Sequence, residues 1–168
     1  MLKQLFLPFA AVAIFIVLVG LFVKNSGSIK IPNFSTPSEN TSSSKTITVD
    51  STVITVEIAD TVDKRTQGLS GRTDLLGDSG MLFVFDKTDR TPGFWMKGML
   101  IPLDLIWIRD GIVVKIDKNV NPPEEGTPDE ALPIYVPGQV IDHVLEVRGG
   151  YSEANKISVG SKVDLSGI

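Results

Sequence analysis

The chain contains no cysteine. This excludes disulfides, a thiol nucleophile, zinc–thiolate centres and a lipid-modified N-terminal Cys, but a chain without thiols is tolerated on either side of a membrane. It has a single histidine, so no His-pair metal site can form. Gly68-Leu-Ser70-Gly71 falls one residue short of a nucleophile elbow, and no glycine-rich phosphate loop is present. A basic surface is also missing: residues 47–168 carry 12 basic and 19 acidic side chains, a net of −7, which argues against a nucleic-acid partner. No metal or other cofactor is expected.

What the chain does have is organised in three parts. Residues 5–23, LFLPFAAVAIFIVLVGLFV, run for 19 residues without a charge. As a helix they would span about 28 Å, the thickness of a bilayer core. Fourteen of them are Leu, Ile, Phe or Val, and each favours insertion by roughly 0.3–0.6 kcal/mol at the helix centre. Residues 1–23 are therefore read as a transmembrane signal anchor. A cleaved signal peptide is the alternative, although no small-x-small cleavage site follows the run. The very short N-terminal tail favours an N-inside orientation, with the rest of the chain outside the cytoplasm. Residues 24–46 hold seven Ser, three Thr, three Asn and two Pro, the composition of a flexible linker. Its reach would be roughly 25–29 Å.

Residues 47–168 read as one mainly β domain with short helices (α+β), a small antiparallel β-barrel-like unit. Val53–Ile58 alternates with the β-branched richness of a strand. A short helix follows, capped by Asp60 or Thr61, with Asp63 in its first turn and Gly68 at its end. Met81–Phe85 reads as a buried strand. Asp110-Gly111 lies between two apolar runs and predicts a type I′ hairpin, because both central residues of that turn need positive φ. The simplest register pairs Arg109 with Ile112, Trp107 with Val114 and Leu105 with Ile116, so Leu105, Trp107, Val114 and Ile116 would face a core. Pro102 implies an edge or a bulge. The proline-rich, acidic stretch 121–139 reads as a solvated loop without cation-site spacing. Val140–Val147 is strand-like, with His143 as a core or rim histidine, and Ser152 is placed to cap a helix through Lys156.

Asp104 is the conspicuous polar residue. An ionised carboxylate in an apolar strand costs several kcal/mol unless it is paired or hydrogen-bonded. One reading makes it a structural group, ion-paired or bonded to backbone N–H groups at the Pro102 bend. The other gathers Arg72, Lys97 and Asp104 into a polar cluster in a pocket walled by Phe94, Trp95 and Met99, with Trp95 and Lys97 on one face.

These residues fall within motifs that resemble the domain of unknown function 192 family. The likeness runs from Ile54 to Leu165 through Val56-Glu-Ile-Ala-Asp60-Thr61, Gln67-Gly-Leu-x-Gly-Arg72, Gly80-Met-Leu-Phe-Val-Phe85, Phe94-Trp-Met-Lys97, Ile101-Pro-Leu-Asp104 and Val144-Leu-Glu146. Gly98 stands where the family usually has Asn, and the acidic loop 121–131 replaces a Cys-containing loop found in many members. The resemblance implies a small, mostly antiparallel barrel-like domain, often exported or anchored, and it implies no activity. Arg72, Trp95, Lys97 and Asp104 occupy motif positions and are the candidate ligand-binding residues. The leading expectation is a membrane-anchored, extracytoplasmic binding or accessory module. Its partners would be the membrane through residues 5–23 and a small polar or anionic ligand or an envelope protein. The alternatives are an enzyme working through Asp104 on an envelope glycan or other small polar substrate, and an assembly partner in the envelope.

Overall fold

The computed structural model describes residues 45–86 and 92–168. The expected anchor and nearly all of the linker lie outside the described residues. Among the described residues, no helix is long and apolar enough to cross a membrane.

Among the described residues the domain is mainly β, with seven strands and two short α-helices. The strands are β1 (Lys45–Val49), β2 (Thr52–Ala59), β3 (Ser79–Val84), β4 (Leu103–Arg109), β5 (Ile112–Val120), β6 (His143–Arg148) and β7 (Val163–Asp164). The helices are α1 (Val62–Gln67) and α2 (Tyr151–Ala154). A single sheet runs in the order β5-β4-β6-β3-β2-β1-β7 and curls into a half-barrel. Its two ends meet at the hairpin turn, where Ile112 bridges Lys162, Val113 N–H donates to Ser161 O (2.9 Å) and Val163 N–H to Gly111 O (2.8 Å). All pairings are antiparallel except β2–β3, which is parallel. The nineteen-residue connection through α1 makes that exception necessary, since parallel neighbours need a crossover rather than a hairpin.

Most of the predicted elements are present. Thr61 caps α1 through a bond from Lys64 N–H (3.3 Å), and Gly68 ends it at φ 50°. Asp110 and Gly111 take φ of 50° and 69°, as the type I′ turn requires. The register beyond the turn differs from the simplest expectation. Arg109 pairs with Ile112, but Ile108 pairs with Val113 and Trp107 with Lys115, because β5 carries an extra residue, Val114. The bulge brings Lys115 and Asp117 beside Trp107. Trp107 Nε1 donates to Asp117 (2.7 Å), and Lys115 lies 5.5 Å from the indole centroid and 2.9 Å from Asp117. Ile116 packs instead on the opposite face, with Ile106 and Ile108.

Both faces of the sheet are covered. On the inner face, Ile47, Ile54, Leu82, Ile106, Val113, Leu145 and Val163 form a core to which every strand contributes, closed by Tyr151 of α2. On the outer face, Phe83, Leu105, Trp107 and Val144 pack beneath Leu69, Leu75, Met96 and Met99 from the connecting segments. β4 is consequently buried along its whole length except Arg109, which is why alternation alone does not disclose its faces.

Candidate functional site

Asp104 sits on the inner face, 0% exposed, and its oxygens are fully engaged. A second irregularity in β5, between the Leu103–Val120 and Leu105–Asp117 pairs, lets Asn119 turn to φ 53° and donate its N–H to Oδ1 (2.7 Å). Gly150 N–H donates to the same oxygen (3.0 Å), and Ser152 N–H (2.8 Å) and Oγ (2.6 Å) donate to Oδ2. The carboxylate thereby supplies the capping acceptor that Gly150, at the N-cap of α2, cannot. Ser152 lies inside that helix and acts through Asp104, rather than capping it directly.

The sequence-based candidates do not form one cluster. Arg72 makes a bidentate pair with Glu57, at 2.5 and 2.7 Å. Lys97 pairs with Asp129 of the acidic loop and lies 5.3 Å from the Trp95 centroid, so Trp95 and Lys97 do share a wall. Asp104 faces the other side of the sheet. The physical reason is its pairing: Asp104 lies opposite Val147, an inner-core residue, whereas the wall bearing Trp95 belongs to the outer layer.

That wall borders a cavity of about 370 Å³ between α1 and the segment 92–99. Its apolar lining includes Leu69, Phe83, Phe85, Phe94 and Met99, and the rings are locked edge to face. Phe94 lies 4.9 Å from Phe83, 6.2 Å from Phe85 and 5.4 Å from Trp107 between centroids. Trp95, 47% exposed, stands at the mouth with Lys97. On the α1 side, Arg65 donates to the carbonyls of Asp60 and Val84 (both 3.0 Å) and lies 5.5 Å from the Phe85 centroid.

The residue that distinguishes this cavity is Glu146. It belongs to β6, pairs with Leu105 and Met81, and lines the cavity from the outer face of the sheet. It is 6% exposed, and its Oε2 is buried without a hydrogen-bond partner. Burial alone pushes its carboxyl up to about 8, so it is largely protonated at neutral pH. A buried polar atom without a partner is rare and costs about 1–3 kcal/mol. His143 shares the orphan pattern at Nδ1, and burial lowers its pKa with Asp142 opposing, but it lies at the β6 end beside Val84 and Ile108. Among the described residues, no group of three or more acidic or imidazole side chains is arranged to hold a metal.

Comparison with known proteins agrees with the motifs. The DUF192 profile, described as "Uncharacterized ACR", matches residues 45–165. The chain belongs to this family. Two crystal structures show the same fold. One is a protein from Sinorhizobium meliloti 1021, provisionally described as a transcription regulator, at 28% identity and a TM-score of 0.65, covering 74% of this chain and 95% of that one. The other is a protein of unknown function from Novosphingobium aromaticivorans DSM 12444, at 30% identity and a TM-score of 0.63, covering 71% and 83%. No curated protein matches the chain.

Proposed function

We propose that this DUF192 domain is a small-ligand-binding module, held outside the cytoplasm by the apolar segment at residues 5–23. The observation that carries the binding reading is the unpartnered Oε2 of Glu146 in an aromatic-lined cavity of about 370 Å³. That volume falls in the range of small-molecule sites, which combine apolar walls with a few convergent polar groups. A carboxyl kept without a partner is a stability cost, and such costs concentrate where a ligand completes the bonding. The alternative of an enzyme working through Asp104 gains no support, because that carboxylate is enclosed by four donors of its own chain.

The test is thermal unfolding of the full chain in detergent against a panel of small polar molecules grouped as cations, anions and neutral polyols. A ligand at about 100 times its Kd adds ~2.7 kcal/mol, a rise of roughly 5–15 °C for a domain of this size. The shift should vanish in Glu146→Gln and weaken in Trp95→Ala. If no class stabilises the wild type, or Glu146→Gln responds equally, the cavity is not the site. The location is checked separately by protease digestion of intact cells, in which the domain should be cut while the cytoplasm stays sealed.

A further inference from the structure

We infer that the ligand is a small organic ammonium ion, its charged nitrogen seated against the Glu146 carboxylate and its carbon body among Phe83, Phe85, Phe94 and Trp95. This rests on the binding reading above and adds the sign of the ligand's charge. The first argument is that, among the described residues, no cation pairs with the carboxyl. Among the described residues, the two basic side chains lining the cavity are committed elsewhere, Arg65 to the carbonyls of Asp60 and Val84 and Lys97 to Asp129. The strands flanking Glu146 present Met81 and Leu105, both apolar. An ammonium ion would therefore supply the opposite charge that the cavity withholds, in a desolvated setting where the pair is strong. An anion would meet a carboxyl that repels it once ionised, and a neutral alcohol would recover a hydrogen bond without using the group's charge.

The second argument is the walls. Aromatic faces attract ammonium groups, and cages of them recognise alkylated ammonium ions. Arg65 over Phe85 and Lys97 over Trp95 already use two of these faces in this way, and among the described residues no cation lies over Phe83 or Phe94, which are left for the ligand. Third, residues 47–168 carry a net charge of −7, which draws cations toward the domain.

Binding is a proton exchange that balances: the ammonium keeps its protons, the Glu146 carboxyl releases one to the buffer, and the ion pair forms. Calorimetric titration of the full chain in detergent tests it, using choline and phenethylammonium, with 3-phenylpropionate and 2-phenylethanol as anionic and neutral counterparts. At pH 7, in two buffers of different ionisation enthalpy, the ammonium ions should bind at least tenfold tighter than the counterparts and release close to one proton. Choline, whose charge does not titrate, should gain about tenfold in affinity per pH unit up to pH 8 and then level off. Glu146→Gln should lose at least tenfold in affinity and all of the proton release while keeping its buried Trp107 fluorescence. If the alcohol or the carboxylate binds as well as the ammonium ions and Glu146→Gln weakens it, the cation inference falls and the binding reading stands. Ammonium binding without proton release also overturns the inference. Binding of none of the four overturns both.

Discussion

Replacing Glu146 with Gln should stabilise the unliganded domain, and by an amount that depends on pH. In the folded chain the carboxyl holds its proton to about 8, whereas in the unfolded chain it releases it near 4.5. Unfolding therefore releases a proton between those values, so raising the pH favours the unfolded state. The folded state loses nothing on this account below about pH 4.5. It loses ~1.4 kcal/mol per pH unit above that, levelling off near pH 8 at roughly 4–5 kcal/mol. Glutamine has the same shape and cannot ionise, but its amide remains buried with unmet bonding worth about 1–3 kcal/mol. The net gain at pH 8 should be about 1–4 kcal/mol, shrinking to zero or below at pH 5. Urea unfolding of both proteins at pH 5, 6, 7 and 8, followed by the fluorescence of buried Trp107, measures it. Parallel stability curves across that range would show that the Glu146 carboxyl is not held protonated by the fold, and the argument for an expectant binding group would fail with it.

Four further substitutions probe the sheet and the segments that cover it. Asp104→Asn keeps the shape but turns one acceptor into a donor facing N–H or O–H groups, and should cost about 3–5 kcal/mol in urea unfolding; Ser152→Ala should cost less, and the two effects should be strongly non-additive in a double-mutant cycle. Gly80→Ala would put a Cβ 2.5 Å from the Glu146 carbonyl and 3.0 Å from Val147 Cγ1 in the middle of the sheet, at a cost of about 2–4 kcal/mol by melting. Gly71→Ala, whose Cβ meets nothing within 4 Å despite a φ of 79°, should cost no more than ~1–2 kcal/mol.

What was legible in the chain was local chemistry. Thr61, Asp63 and Gly68 bound α1, and Asp110-Gly111 makes the hairpin turn, because a cap or a positive-φ turn is decided by a few adjacent residues. The register past that turn was not legible, since the Val114 bulge answers to the far end of the sheet, where Val113 is drawn onto Ser161. The two-faced burial of β4 and β6 also escaped a reading based on alternation, which assumes one wet face. The signal that marks Asp104, an acid inside an apolar run, was equally present in Val144-Leu-Glu146-Val147. It carries less weight there because every second residue of a lone strand is free to be polar when one face meets water.

The contrast between these two acids separates architecture from function. Leu105 pairs with Glu146 and Asp104 with Val147, so the carboxyls occupy neighbouring rungs of the β4–β6 ladder and point to opposite faces. Burial on both sides removes them from water almost equally. On the inner face, the chain bends β5 at Asn119 and begins α2 at Gly150 to bring four donors to Asp104. On the outer face, Glu146 Oε2 receives no donor, while α1 and the segment 92–99 leave a cavity beside it rather than closing over it. Since one rung away the same sheet satisfies a buried carboxylate completely, burial in this sheet does not by itself leave an acid unpartnered, and Glu146 is left so on the face where a ligand has room to complete its bonding.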